Sequence, residues 1–256
     1  MVNQNRTVQY IEASGDIKEA IEFGVKWLHA FTDEGKQDFL LAVDTKRVLD
    51  NAISNVIGEG AVRELKKKNR VRLGEGTVDL ATKRVKPENW ESGPVLVAFP
   101  STDLLDVVDK LSGVSDVLVI TRSKERIESW VGTWGATNLR SDSSSDLVEI
   151  SNPVAEAAVD SLDFLVNTST GITHSTDRAR CIRIFEKLQA EGIEVDPTAV
   201  RGWLIREKGW SPDHADDVKE IIEGVAAGKK YRYEGGGLAD NIVEQWRKEA
   251  GEQQND

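Results

Sequence analysis

Val95-Leu-Val-Ala-Phe99, Pro100-Ser-Thr-Asp103 and Val117-Leu-Val-Ile120 lie within one stretch, and their order decides the fold. The first run is apolar throughout, as a strand covered on both faces must be. After the polar turn, Leu104, Leu105, Val108 and Leu111 recur at the spacing of one helical face. Ser101, Thr102 or Asp103 would cap that helix, and Gly113 lies where a left-handed turn is expected. Val114 to Ile120 then returns as a second strand, apolar without a break from Val117 to Ile120. Thr121-Arg-Ser123 leads from it into a helical pattern over Lys124 to Trp134, with Ile127, Trp130, Val131 and Trp134 on one side and Gly135 at its end. Strand, turn and helix thus occur twice, which predicts parallel strands joined by right-handed crossovers.

Upstream the pattern repeats. Arg6 to Ala13 reads as a strand, and Ser14-Gly-Asp16 as the cap of a helix buried through Ile17, Ala20, Ile21, Trp27, Leu28 and Phe31 and ended at Gly35. Phe39-Leu-Leu-Ala-Val43 is a third buried strand; Asp44-Thr45 follows, then helical spacing of Val48, Leu49, Ala52, Ile53, Val56 and Ile57. Gly58-Glu-Gly60 interrupts that helix before a basic cluster, Lys66 to Lys68 with Arg70 and Arg72, read as a solvated helix end. Val71 to Arg84, with Gly74-Glu-Gly76 inside it, suggests a hairpin or an irregular edge strand. Residues 1–140 are therefore expected to form a Rossmann-like, three-layer α/β domain with a mostly parallel sheet.

Ser141 to Asp146 has no apolar residue, and 141–151 is read as an exposed linker. A mainly helical domain is expected over 152–256. Asn152-Pro153, Asp196-Pro197 and Ser211-Pro212 each open a helix with Pro at its first position. Short helices with brief turns suggest a helix-turn-helix-like core. The last of these three helices, however, offers Asp213, Asp216, Asp217, Glu220 and Glu223, a face that repels DNA. Lys229-Lys-Tyr-Arg-Tyr233 is read as a short strand with both tyrosines packed on one side, the rival reading being a base-stacking platform. Leu238, Ile242, Val243 and Trp246 mark a last amphipathic helix, whose apolar face needs a partner in this chain or in another copy. Gly251 to Asp256 is expected to be a disordered tail.

The formal net charge of −11 opposes broad attraction to nucleic acid or anionic membrane. No apolar run approaches the roughly 18 residues that would cross a bilayer, and Met1 to Asp16 lacks the apolar core of a signal peptide, so the cytoplasm is the expected compartment. A single cysteine, Cys181, excludes an internal disulfide and a Cys-cluster zinc site, and lies among apolar helix residues. His29, His174 and His214 are far apart and in no metal-ligand frame, so no metal site is expected. No nucleotide fingerprint or nucleophile elbow is present either, and no motif specifies a cofactor or a catalytic residue.

The topology nevertheless predicts where a ligand would bind, because loops diverge outside the carboxyl ends of parallel strands. Those ends carry Asp44, Ser101, Asp103, Arg122 and Ser123. Arg122 suits a phosphate, and Asp44 or Asp103 suits ribose hydroxyls or Mg²⁺. A second polar segment, Asn167 to Arg178, offers Asn167, His174 and Arg178 as further ligand contacts; His174 becomes a general base if that segment faces the crevice. The expectation is an intracellular, regulatory protein that recognises a small phosphorylated ligand or a protein partner without obvious catalysis. Its rivals are a Mg²⁺-dependent phosphoester enzyme using the crevice carboxylates and a nucleic-acid-associated regulator acting through the helical domain.

Overall fold

The computed structural model describes residues 6–13, 15, 17–32, 38–50 and 52–253. The chain divides into two compact units, residues 1–147 and 148–256. The first is α/β with a mixed eight-stranded sheet, and the second is helical.

In the first unit the order is β1 (Thr7–Glu12), α1 (Ile17–Ala30), β2 (Asp38–Val43), a 3-10 turn (Lys46–Leu49), α2 (Ala52–Ile57), α3 (Glu59–Lys68), β3 (Arg70–Leu73) and β4 (Gly76–Ala81). Then come β5 (Gly93–Ala98), α4 (Thr102–Asp109), β6 (Val114–Thr121), a second 3-10 turn (Lys124–Ile127), α5 (Glu128–Trp134), β7 (Thr137–Asn138) and β8 (Ser143–Ser144). The strands lie in the order β3-β4-β2-β5-β6-β1-β7-β8. The six from β4 to β7 are parallel, and β3 and β8 are antiparallel edges.

Alternation along each strand sorts its residues between two cores. Leu41, Val43, Leu96, Ala98, Leu118 and Ile120 face α1, α2 and α3. Leu40, Ala42, Val95, Val97, Val117 and Val119 face α4 and α5. Both faces are thus covered, which is why Phe39 to Val43 of β2, Val95 to Ala98 of β5 and Val117 to Ile120 of β6 are apolar throughout. To join β1 to β2, α1 must cross β6 and β5, and it does so closely: a Cβ on Gly24 would stand 2.8 Å from Leu96 Cδ1 and 2.9 Å from Ile120 Cδ1.

Several expectations need correction. Phe99 is not a strand residue; its φ of +52° turns the chain out of β5. Ser143–Ser144 is not linker but a two-residue edge strand on Thr137–Asn138, a pairing of backbone groups that side-chain hydrophobicity does not announce. Arg70 and Arg72 stand on β3, and only Lys66 to Lys68 end a helix, where Lys46 Nζ donates to the Lys66 carbonyl at 2.6 Å. The expected caps Ser14 and Asp16 and the stop Gly35 lie outside the described residues.

The helical unit contains α6 (Pro153–Leu165), α7 (Ser175–Ala190), α8 (Pro197–Lys208), α9 (Pro212–Ala226) and α10 (Ile242–Gln253). Asn152, Asp196 and Ser211 each accept a backbone N–H with their side chains, satisfying donors that a helix start leaves open. Helix α10 docks on α6 through Trp246, fully buried, whose Nε1 donates to Ser161 Oγ at 3.1 Å. It runs to Gln253, so the expected tail is helical as far as that residue, and 254–256 lie outside the described residues. Lys229 to Tyr233 forms no strand. It is extended chain laid on the helices, with the Tyr231 hydroxyl donating to the Ile221 carbonyl and the Tyr233 hydroxyl to the Glu186 carboxylate. No described helix is long and apolar enough to cross a membrane.

Candidate functional site

Strands β2 and β5 are neighbours whose connections leave in opposite directions. From β2 the chain goes through α2 and α3 towards β4, whereas from β5 it goes through α4, on the other face, to β6. The loops therefore part at their carboxyl ends, the place where an open parallel sheet offers a ligand crevice.

Asp44 follows β2 directly, and Ser101 lies just beyond β5. The Ser101 N–H donates to both carboxylate oxygens of Asp44 at 3.2 Å, and its hydroxyl donates to Oδ1 at 2.6 Å. Ser101 holds the N-cap position of α4 but makes no side-chain cap. Its hydroxyl is committed to Asp44, which bridges the two diverging loops. Lys83, from the loop after β4, places Nζ 3.3 Å from Asp103 Oδ2 and 3.9 Å from Asp44 Oδ1. Asp44, Ser101 and Asp103, expected from topology, are thus brought together. Lys83 was not expected, because nothing in its own neighbourhood distinguishes it from any loop lysine.

Phe99 sets the geometry of the turn. A left-handed φ on a bulky residue is costly, on the order of 1–3 kcal/mol, and persists only where the surroundings enforce it. Here the Phe99 N–H donates to the Ile120 carbonyl at 2.8 Å, continuing the β5–β6 ladder by one bond. Arg122 lies with its guanidinium carbon 5.4 Å from the Phe99 ring centroid, a cation–π contact two residues from Ser101. Ser123 is engaged locally instead. Its N–H and carbonyl bond the Thr121 hydroxyl, while the Glu125 carboxyl is held below its ordinary range by its own backbone N–H and by the Ser123 hydroxyl.

Asn167, His174 and Arg178 belong to the helical unit, where the structure gives Asn167 a local task. Asn167 Oδ1 accepts from the Ser169 N–H at 3.2 Å and its hydroxyl at 2.7 Å, and the Asn167 N–H donates to Asp177 at 3.4 Å. His174 is the exposed N-cap residue of α7, without a side-chain cap bond. Arg178 is half-buried beside the Cys181 thiol, which burial pushes far above its ordinary range. Nearby, Arg180 donates to the Leu165 carbonyl at 2.7 Å, and Arg183 to the Gly235 carbonyl at 3.2 Å. Residues 151–247 match a family model, Domain of unknown function (DUF1889). The match falls inside the helical unit and covers less than half of the chain. No curated protein and no solved structure matches.

Among the described residues, no three His, Cys, Asp or Glu side chains are grouped so as to hold a metal ion. Between the crevice carboxylates of Asp44 and Asp103 the positive charge is the Lys83 ammonium.

Proposed function

We propose that the α/β unit binds a small phosphorylated ligand in the crevice between the carboxyl ends of β2 and β5, and that the protein acts by recognising it. The observation that carries this reading is the convergence of Asp44, Lys83 and Ser101 from three separate loops at the point where the crossovers diverge. Lys83 and Arg122 supply positive charge for a phosphate, and Asp44 and Asp103 supply acceptors for hydroxyls. The glycine-poor turn Pro100-Ser-Thr-Asp103 does not wrap a pyrophosphate, which favours a monophosphate.

A Mg²⁺-dependent phosphoester reaction has less support, because Lys83 stands where a metal shared by Asp44 and Asp103 would be. The nucleic-acid reading is weakened too, since Arg180, Arg183, Tyr231 and Tyr233 make contacts within the helical unit.

The test is a thermal-shift screen of nucleoside monophosphates and sugar phosphates, each with and without Mg²⁺. A compound at a hundred times its Kd adds about 2.7 kcal/mol, a shift of roughly 5 to 10 °C for a domain of this size. The expected result is such a shift for one compound class, independent of Mg²⁺ and lost in Lys83→Met and Arg122→Ala. A flat screen overturns the reading.

A further inference from the structure

Helices α6 and α8 carry a group of aromatic and acidic side chains that the crevice reading does not use. Phe164, near the end of α6, is 80% exposed, more than any other large hydrophobic side chain described. Lys208, the last residue of α8, places its ammonium 5.8 Å from the Phe164 ring centroid and 5.2 Å from that of Trp203, and pairs with Asp160. A hollow of about 390 Å³ adjoins them, lined by Glu149, Glu156, Trp203, Arg206, Glu207 and Lys208. Four carboxylates, counting Asp160, thus surround two cations.

We propose that this face docks a lysine- or arginine-bearing segment of a protein partner, with Phe164 as its exposed aromatic anchor. The protein's own Lys208 demonstrates the chemistry, since an ammonium already rests against both rings and a carboxylate. The outer side of Phe164 remains open to a second cation, and the attraction of a cation to a ring face rises as water is excluded. Helix α8 ends at Lys208, so its carboxyl terminus adds partial negative charge beside the hollow, and α6 adds the same at its far end beside Phe164. Charge also decides between occupants. A second copy carrying −11, a nucleic acid or an anionic membrane would be repelled at long range, whereas a basic segment would be attracted.

The experiment uses the full chain and a capped hexalysine peptide, titrated calorimetrically at low and at physiological salt, with hexaglutamate as the opposite-charge control. Phe164→Ala should weaken hexalysine binding roughly 2- to 30-fold, the range expected for a cation–π contact. Its melting temperature should not change, because so exposed a ring contributes little to the core. Asp160→Asn should weaken binding as well, whereas Glu91→Gln, which removes one exposed charge from the α/β unit, should leave it unchanged. The proposal is overturned if hexalysine does not bind, if Phe164→Ala binds it as tightly as the wild type, or if Phe164 instead mediates a concentration-dependent dimer.

Discussion

Asp79 shows how a single buried side chain couples this fold to pH. It stands on β4 with its side chain 2% exposed, 3.6 Å from Arg70 Nη1, and its Oδ2 has no hydrogen-bond partner. Burial pushes its carboxyl above the ordinary range; Arg70 partly offsets this, and Asp38 adds to it. Because the folded state holds this proton more tightly than the unfolded chain, the contribution to stability is full below the unfolded pKa, about 3.9. It is lost as pH rises through the raised folded value. Asp79→Asn, which keeps the shape and removes the charge, should therefore melt above the wild type at neutral pH. The gap should close as pH falls towards 4, as circular dichroism melts across that range would show. The same scale limits what could be read in advance. Asp44 and Arg122 stood out because they occupy strand ends, but Lys83 acquires its meaning only from two carboxylates that are 39 and 20 residues away in the chain.

At the scale of elements, the last helix is anchored by Trp246, with Ala250 also buried and Arg247 paired with Glu191. Trp246 is fully buried against α6, and truncation of such a side chain costs about 3–5 kcal/mol. Trp246→Ala should release α10 and expose the extended segment that precedes it. Limited proteolysis should then cut between residues 229 and 241 in the variant well before the wild type. That segment lies close to its support: a Cβ on Gly236 would come within 2.7 Å of both Ala179 Cβ and the Arg180 amide nitrogen. The helices themselves were legible because apolar spacing and the caps Asn152, Asp196 and Ser211 are written locally. The strand expected at Lys229 to Tyr233 was not, since a strand requires a ladder partner and none is present there. Strands β7 and β8 failed in the opposite sense. They are polar, and only their pairing makes them strands.

For the whole molecule, each unit has its own buried core, and this has a direct consequence for stability. Residues 148–256 expressed alone should fold and melt cooperatively, with the far-ultraviolet dichroism of a helical protein. A phosphorylated ligand of the crevice should raise the transition of the α/β unit and leave that of the isolated helical fragment unchanged, since a ligand stabilises only the unit that holds it. A ligand that raised the melting temperature of the fragment equally would move the site out of the crevice.

By itself the sequence determined that β2, β5 and β6 are buried parallel strands, that helices follow them, and that the chain ends in a helical unit. Uninterrupted apolar runs and helical stripes have no other way to leave water. Strand order, the divergence between β2 and β5, the place of Lys83 and the lack of a ladder partner for Lys229 to Tyr233 were decided only in the tertiary structure. Local pattern states which face of an element is buried. Which elements meet there is set by crossovers between distant parts of the chain, and the charges that converge at a crevice leave no periodic trace of it.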